Sequence, residues 1–204
     1  MKILNIICML LICSIAFSQE KEDKNDYDIN PFRIGVKLGV PNIIGGDLEY
    51  VTPLLDNRIA LFIDYSGFKI SPDDDEIKIK YFEIGTNIYF NNKGRGLYGA
   101  ISYSKLNIDG LFSETETING TVYDGITTGD VEINTTNLKL GAKLGKKFYF
   151  RIEVGYGFGD IPQEIEVTGI SNGMTQTDYI EIPDIPGITD NGLFIVNIGF
   201  GISF

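Results

Sequence analysis

The residue types that usually carry catalysis are thin in this sequence. It has no His and no Trp, and its two Cys are Cys8 and Cys13. Without His, every Ser-His and Cys-His nucleophile pair is excluded. A Ser with a Lys or carboxylate base is the pairing left, and Ser102 and Ser104 stand beside Lys105. The same residues equally suit an ordinary strand, so no catalytic residue is assigned and no enzyme is expected. The run Asp73-Asp74-Asp75-Glu76 gathers carboxylates, and Ca²⁺ takes six to eight oxygens. The spacing is not that of an EF-hand and the turn glycine is missing, so it reads as a solvated acidic loop tip. No metal site and no cofactor are expected. The glycines show neither a dinucleotide fingerprint nor a phosphate loop before a helix. The net charge of −11 argues against nucleic acid, whose phosphates need clustered Lys and Arg. The basic runs at 93–95 and 143–147 lie at short turns and read as surface charge.

The informative charges alternate with apolar residues. From Phe32 onward the pattern has period two, broken by Gly, Asn and Asp clusters, which is the signature of many short strands. In the last segment Phe194, Val196, Ile198, Phe200, Ile202 and Phe204 form one face, and Asn197, Gly199, Gly201 and Ser203 the other. Eight strands follow, at 32–40, 46–52, 58–69, 76–90, 96–108, 131–144, 147–159 and 193–204. In the fifth, Leu97, Ile101 and Tyr103 share a parity that Leu106 and Ile108 break, which suggests a bulge near Lys105. Short connections at 53–57, 91–95 and 145–146 alternate with longer ones at 70–75, 109–130 and 160–192; the short 41–45 is the exception. Loops 109–130 and 160–192 contain no Lys or Arg. Their alternating apolar residues and the Asn119-Gly120 and Ser171-Asn172-Gly173 turn signals suggest hairpins rather than coil.

Ahead of the strands, Lys2 precedes an apolar run from Ile6 to Phe17, and Ala16-Phe17-Ser18 has small residues where a signal peptidase reads. Residues 1–18 therefore read as a cleaved secretory signal, too short for the roughly 20 apolar residues of a spanning helix. Both Cys would leave with it. Residues 19–31 are polar and read as a flexible segment, and 32–204 as one all-β domain.

An alternating barrel can be apolar inside or apolar outside. Three features favour an inverted barrel, with the polar face inward. That face is rich in Gly, which suits an eight-stranded lumen only just wide enough for side chains. Its charges nearly balance, Arg33, Lys37, Arg58, Lys139, Lys143 and Arg151 against Asp47, Glu49, Asp64, Glu83 and Glu153, and buried charges must pair. Aromatics crowd the strand ends (Phe32, Tyr81, Phe82, Tyr89, Phe90, Phe148, Tyr149, Phe158 and Phe204), as in interfacial girdles. An open sheet edge cannot sit in lipid, so such a sheet must close.

With these features the chain resembles the small eight-stranded outer-membrane β-barrels of Gram-negative bacteria: the OmpA- and OmpX-type transmembrane domains and the PorT-like barrel family. The resemblance covers about 32–204. It implies an antiparallel up-and-down transmembrane barrel in the outer membrane, with both termini periplasmic. It also implies that the strand bearing Ile198, Phe200, Ile202 and Phe204 is read by the barrel assembly machinery. The expected role is structural or interaction-based: membrane integrity, adhesion or docking through acidic extracellular loops, with a filled, non-catalytic lumen. The expected partners are outer-membrane lipid and, at the acidic loops, divalent cations or a protein; those loops serve equally as a solubilising surface. A monomer is expected. A small porin-like channel or transport barrel and a secreted soluble lipid-binding barrel are the alternatives.

Overall fold

A computed structural model describes residues 29–71, 75–118, 121–171, 174–181 and 188–204. The expected signal at 1–18, Asp73, Asp74, Asn119-Gly120, Asn172-Gly173 and Ile182 lie outside the described residues. Eleven strands and no helix occur among them. The eight staves are β1 (Phe32–Val40), β2 (Ile43–Val51), β3 (Ile59–Ile70), β4 (Glu76–Tyr89), β5 (Gly96–Ile118), β6 (Thr121–Gly145), β7 (Phe148–Phe158) and β11 (Gly192–Ser203). Each pairs antiparallel with its neighbour, β7 joins β6 to β11, and β11 pairs with β1. The sheet therefore closes on itself and has no edge along the staves, as eight alternating strands with antiparallel turns allow. The remaining strands, β8 (Glu164–Ser171), β9 (Met174–Glu181) and β10 (Ile188–Thr189), lie in the long β7–β11 connection.

The short connections 52–58, 90–95 and 146–147 share one end of the barrel with the start of β1 and the end of β11, where Phe32 and Phe204 exchange two backbone hydrogen bonds at 2.9 and 3.1 Å. The turns there use left-handed backbone; Gly145 has φ +111°, where an L side chain is strained. At the opposite end β5 and β6 stay paired out to Ile118 opposite Thr121, well past the last β4 pairing, Glu76 opposite Leu111. β8 pairs with β6 there and β9 with β8, so the expected hairpins are present as a four-stranded projection. The sixth strand begins ten residues earlier than the 131–144 read from alternation, because the segment 121–130, expected as part of a loop hairpin, continues the same strand. The first hairpin is tighter than expected, with residues 41–42 alone between β1 and β2.

No bulge interrupts β5. Its register runs unbroken through Lys105, opposite Phe82 on β4 and Asn134 on β6. Leu106 breaks the apolar parity because it points inward, where the lumen itself changes from polar to apolar.

Candidate functional site

The interior is the chemically distinctive part of the molecule. Burial follows strict alternation, and the buried charged residues are Arg33, Lys37, Asp47, Glu49, Asp64, Glu83, Lys139, Lys143, Arg151 and Glu153. These ten belong to β1 through β4, β6 and β7, and they balance at five cations against five anions among the described residues. Arg58, expected with them, is not there. It lies exposed at the turn, one residue before β3 begins and two before the first inward position, Ala60. Removing it turns a near balance into a neutral one.

Closure is what brings the ten together. Glu49 on β2 pairs with Arg33 on β1 and takes Lys143 Nζ at 2.5 Å from β6 across the lumen. It also accepts from Asn87 Nδ2 at 2.7 Å and from Tyr89 Oη at 3.0 Å. Lys37 pairs with Asp64 and lies 3.0 Å from Glu153. Glu83 takes Lys139 at 2.6 Å, Asn137 Nδ2 at 3.1 Å, Tyr81 Oη at 3.0 Å and Ser102 Oγ. Arg151 faces Asp47 at 2.7 Å, and Tyr98 Oη donates to Glu153 at 2.6 Å. Lys139 and Arg151 are held by charge at these distances, with their donors off hydrogen-bond alignment. Such buried ions are tolerated only because each has an opposite charge in reach.

Glycine makes the room. A Cβ at Gly141 would lie 2.4 Å from the Tyr98 ring, and one at Gly201 2.3 Å from that of Tyr149. The small residues thus sit where inward aromatics cross the lumen. Phe62 does the same for cations: Lys37 and Lys139 stand 5.3 and 4.7 Å from its ring centre.

Apolar layers close both ends of the network. Towards the short turns lie Val51, Ala60, Phe62, Tyr89, Tyr98 and Ala100. Towards the projection lie Tyr81, Leu106, Val131, Ile133, Ile161, Leu193 and Ile195. This second layer was not read from the sequence, although its signal is there: apolar residues on the polar parity of β5, β6 and β11, all near the same end. Tyr81, Tyr89 and Tyr149, expected in the outer girdles, are buried inside instead.

The serines do not meet Lys105, and the carboxylate that Ser102 donates to, Glu83, is already held by Lys139. Ser102 and Ser104 point into the lumen, where Ser104 Oγ shares a hydrogen bond of 2.8 Å with Thr135 Oγ1. Lys105 points out of the other face and pairs with Glu132 at 2.6 Å. At the acidic run, Glu76 binds Lys69 and Lys78. Those hydrogen bonds, first Lys69 and then Lys78, hold the Glu76 carboxyl below its ordinary range.

The outer face is apolar on every stave. Along β11, Phe194, Val196, Ile198, Phe200, Ile202 and Phe204 all point outward, 40–64% exposed. Aromatic side chains meet near the rims: Phe32 lies 4.8 Å from Tyr50, and Tyr156 lies 4.8 Å from Phe158 and 5.3 Å from Phe194.

No family model and no curated protein matches the chain. Among solved structures it is similar to Acinetobacter baumannii CarO, at 15% identity over 88% of this chain and 100% of that one, with a TM-score of 0.45. It is also similar to the N-terminal β-barrel domain of Pseudomonas aeruginosa OprF, at 15% identity over 86% and 98% of the two chains, with a TM-score of 0.43. By its own geometry the chain is an all-β, closed eight-stranded antiparallel barrel with charge inside and hydrocarbon outside.

Proposed function

We propose that the protein is an integral outer-membrane β-barrel with a structural or interaction role. The observation that carries this reading is the unbroken apolar band on the outer face of all eight staves around a charge-filled interior. Monomeric soluble proteins rarely expose contiguous apolar patches beyond about 300–600 Å², and a band encircling a barrel belongs against acyl chains. Closure leaves no unpaired strand edge along the staves, as lipid requires. In this reading residues 1–18 direct export and are removed, the assembly machinery reads the β11 face, and the monomer has its short-turn end and termini in the periplasm. The β5–β6–β8–β9 projection then stands outside the cell. Its acidic residues suit docking of a protein or binding of divalent cations, and the filled lumen does no chemistry.

Fractionation with heat-modifiable gel mobility tests it. The mature chain is expected in the outer-membrane fraction and to migrate differently before and after boiling. Recovery as a soluble periplasmic protein without detergent would overturn the reading.

A further inference from the structure

The outward-facing cations are confined to one arc of the barrel. β2 and β11 contain no Lys or Arg, and those of β1, β6 and β7 (Arg33, Lys37, Lys139, Lys143 and Arg151) are buried inward. Every Lys or Arg on the outside of a stave is therefore Lys69 on β3, Lys78 and Lys80 on β4, or Lys105 on β5. All four lie at the projecting end.

Strand register arranges them in rows. Tyr65, Phe82, Lys105 and Asn134 form one row across β3 to β6; Gly67, Lys80, Asn107 and Glu132 the next; Lys69, Lys78, Asp109 and Asp130 the third. Below the first row Ile63, Ile84 and Tyr103 continue the apolar band. Successive rows are two residues apart, about 6–7 Å along the strand. Hydrocarbon thus gives way outward to a row of aromatic rings with the first ammonium group, and then to two rows in which ammonium groups and carboxylates stand side by side. Long lysine side chains can lie along an apolar surface and present their charge at its edge.

The carboxylates in the arc do not consume these cations. Glu76 serves both Lys69 and Lys78, with the two lysines 54% and 45% exposed. The Lys105–Glu132 pair is similarly open to water. Exposed pairs of this kind contribute little and exchange readily. Lys80 makes no ion pair among the described residues. Elsewhere the projecting end offers an anion only carboxylates, since 109–130 and 160–192 contain no cation.

The geometry points to this arc as a contact for the phosphate groups of anionic lipid headgroups in the outer leaflet, with Lys80 and Lys105 as its centre. The inference rests on the membrane reading above. It adds a partner chemistry and a side: phosphorylated lipid is held along β3–β5, while the rest of the rim repels it.

The test is lipid selectivity of the full mature chain in phosphatidylcholine bilayers, read with spin-labelled lipid A in its phosphorylated and dephosphorylated forms. The wild type is expected to prefer the phosphorylated form, and the Lys80→Gln/Lys105→Gln variant to lose about fivefold of that preference. Lys80→Arg/Lys105→Arg should retain it. So should Lys93→Gln/Lys146→Gln, which removes charge at the opposite end. Gel mobility of the same samples separates the two readings. An inserted barrel without phosphate preference, or one whose preference survives Lys80→Gln/Lys105→Gln, overturns the arc alone; a chain that never inserts overturns both.

Discussion

Glu49 concentrates the cost of the lumen in one side chain. It holds Arg33 and Lys143 and accepts from Asn87 and Tyr89. Glu49→Gln leaves two buried cations facing a neutral amide, and breaking a buried pair costs about 3–5 kcal/mol. The urea midpoint for unfolding from vesicles should fall accordingly; an unchanged midpoint would mean that water already reaches these charges. Gly141 makes the opposite kind of demand. Gly141→Val drives a side chain into the Tyr98 ring, and overpacking of this kind costs about 1–3 kcal/mol. The same unfolding measurement should register it, whereas Gly46→Val, whose Cβ meets nothing closer than 3.8 Å, should leave the midpoint nearly unchanged. Outside the barrel, Glu76 is bound by Lys69 and Lys78, which lower its pKa from 4.5. A lowered carboxyl contributes stability above its unfolded pKa and loses it as pH falls through the folded value. An NMR titration should place the Glu76 midpoint below 4.5 and show it rising in Lys69→Gln/Lys78→Gln.

At the scale of elements, the barrel and its projection separate at Leu111. Up to that residue β5 is paired on both sides; beyond it β5 has only β6. Replacing residues 112–127 by an Asn-Gly turn should therefore leave a closed barrel with normal heat-modifiable mobility, while β8 loses most of the β6 segment it pairs with and keeps only β9. Loss of the mobility shift would show that the projection is part of the barrel's stability. Most staves were legible from alternation alone, because each has one apolar and one polar face and a side-chain period of two. β5 was the instructive failure. Its parity change at Leu106 suggested a bulge, yet the strand is regular. Local pattern cannot distinguish a strand that slips from a lumen whose chemistry changes along its axis. The outer half of β6, β8 and β9 were legible only as hairpins within 109–130 and 160–192, because alternation and turn signals do not fix where a strand ends or which strand it pairs with.

For the whole molecule, three barriers lie in series along the axis: a salt-bridged middle and an apolar layer at each end of it. Reconstituted wild type should show no bilayer conductance. Leu106→Gly/Ile133→Gly/Leu193→Gly thins the apolar layer at the projecting end but leaves the ion pairs and the other apolar layer, so it too should stay closed. Steady conductance in that variant would show that the remaining layers pass ions and revive a channel reading.

Composition and period settled that this is a sheet with one charged and one apolar face. The number of staves, and most of the residues on each face, could be read without coordinates. Which charges meet could not. Glu49 and Lys143 are 94 residues apart and touch only because the sheet closes. Arg58 has the parity of a lumen residue but lies too close to the turn to be one. The inward apolar layer and the outward lysine arc share the same cause. Strand register, a property of neighbours distant in sequence, decides what stands at each height of the barrel, and alternation along a single strand carries no record of it.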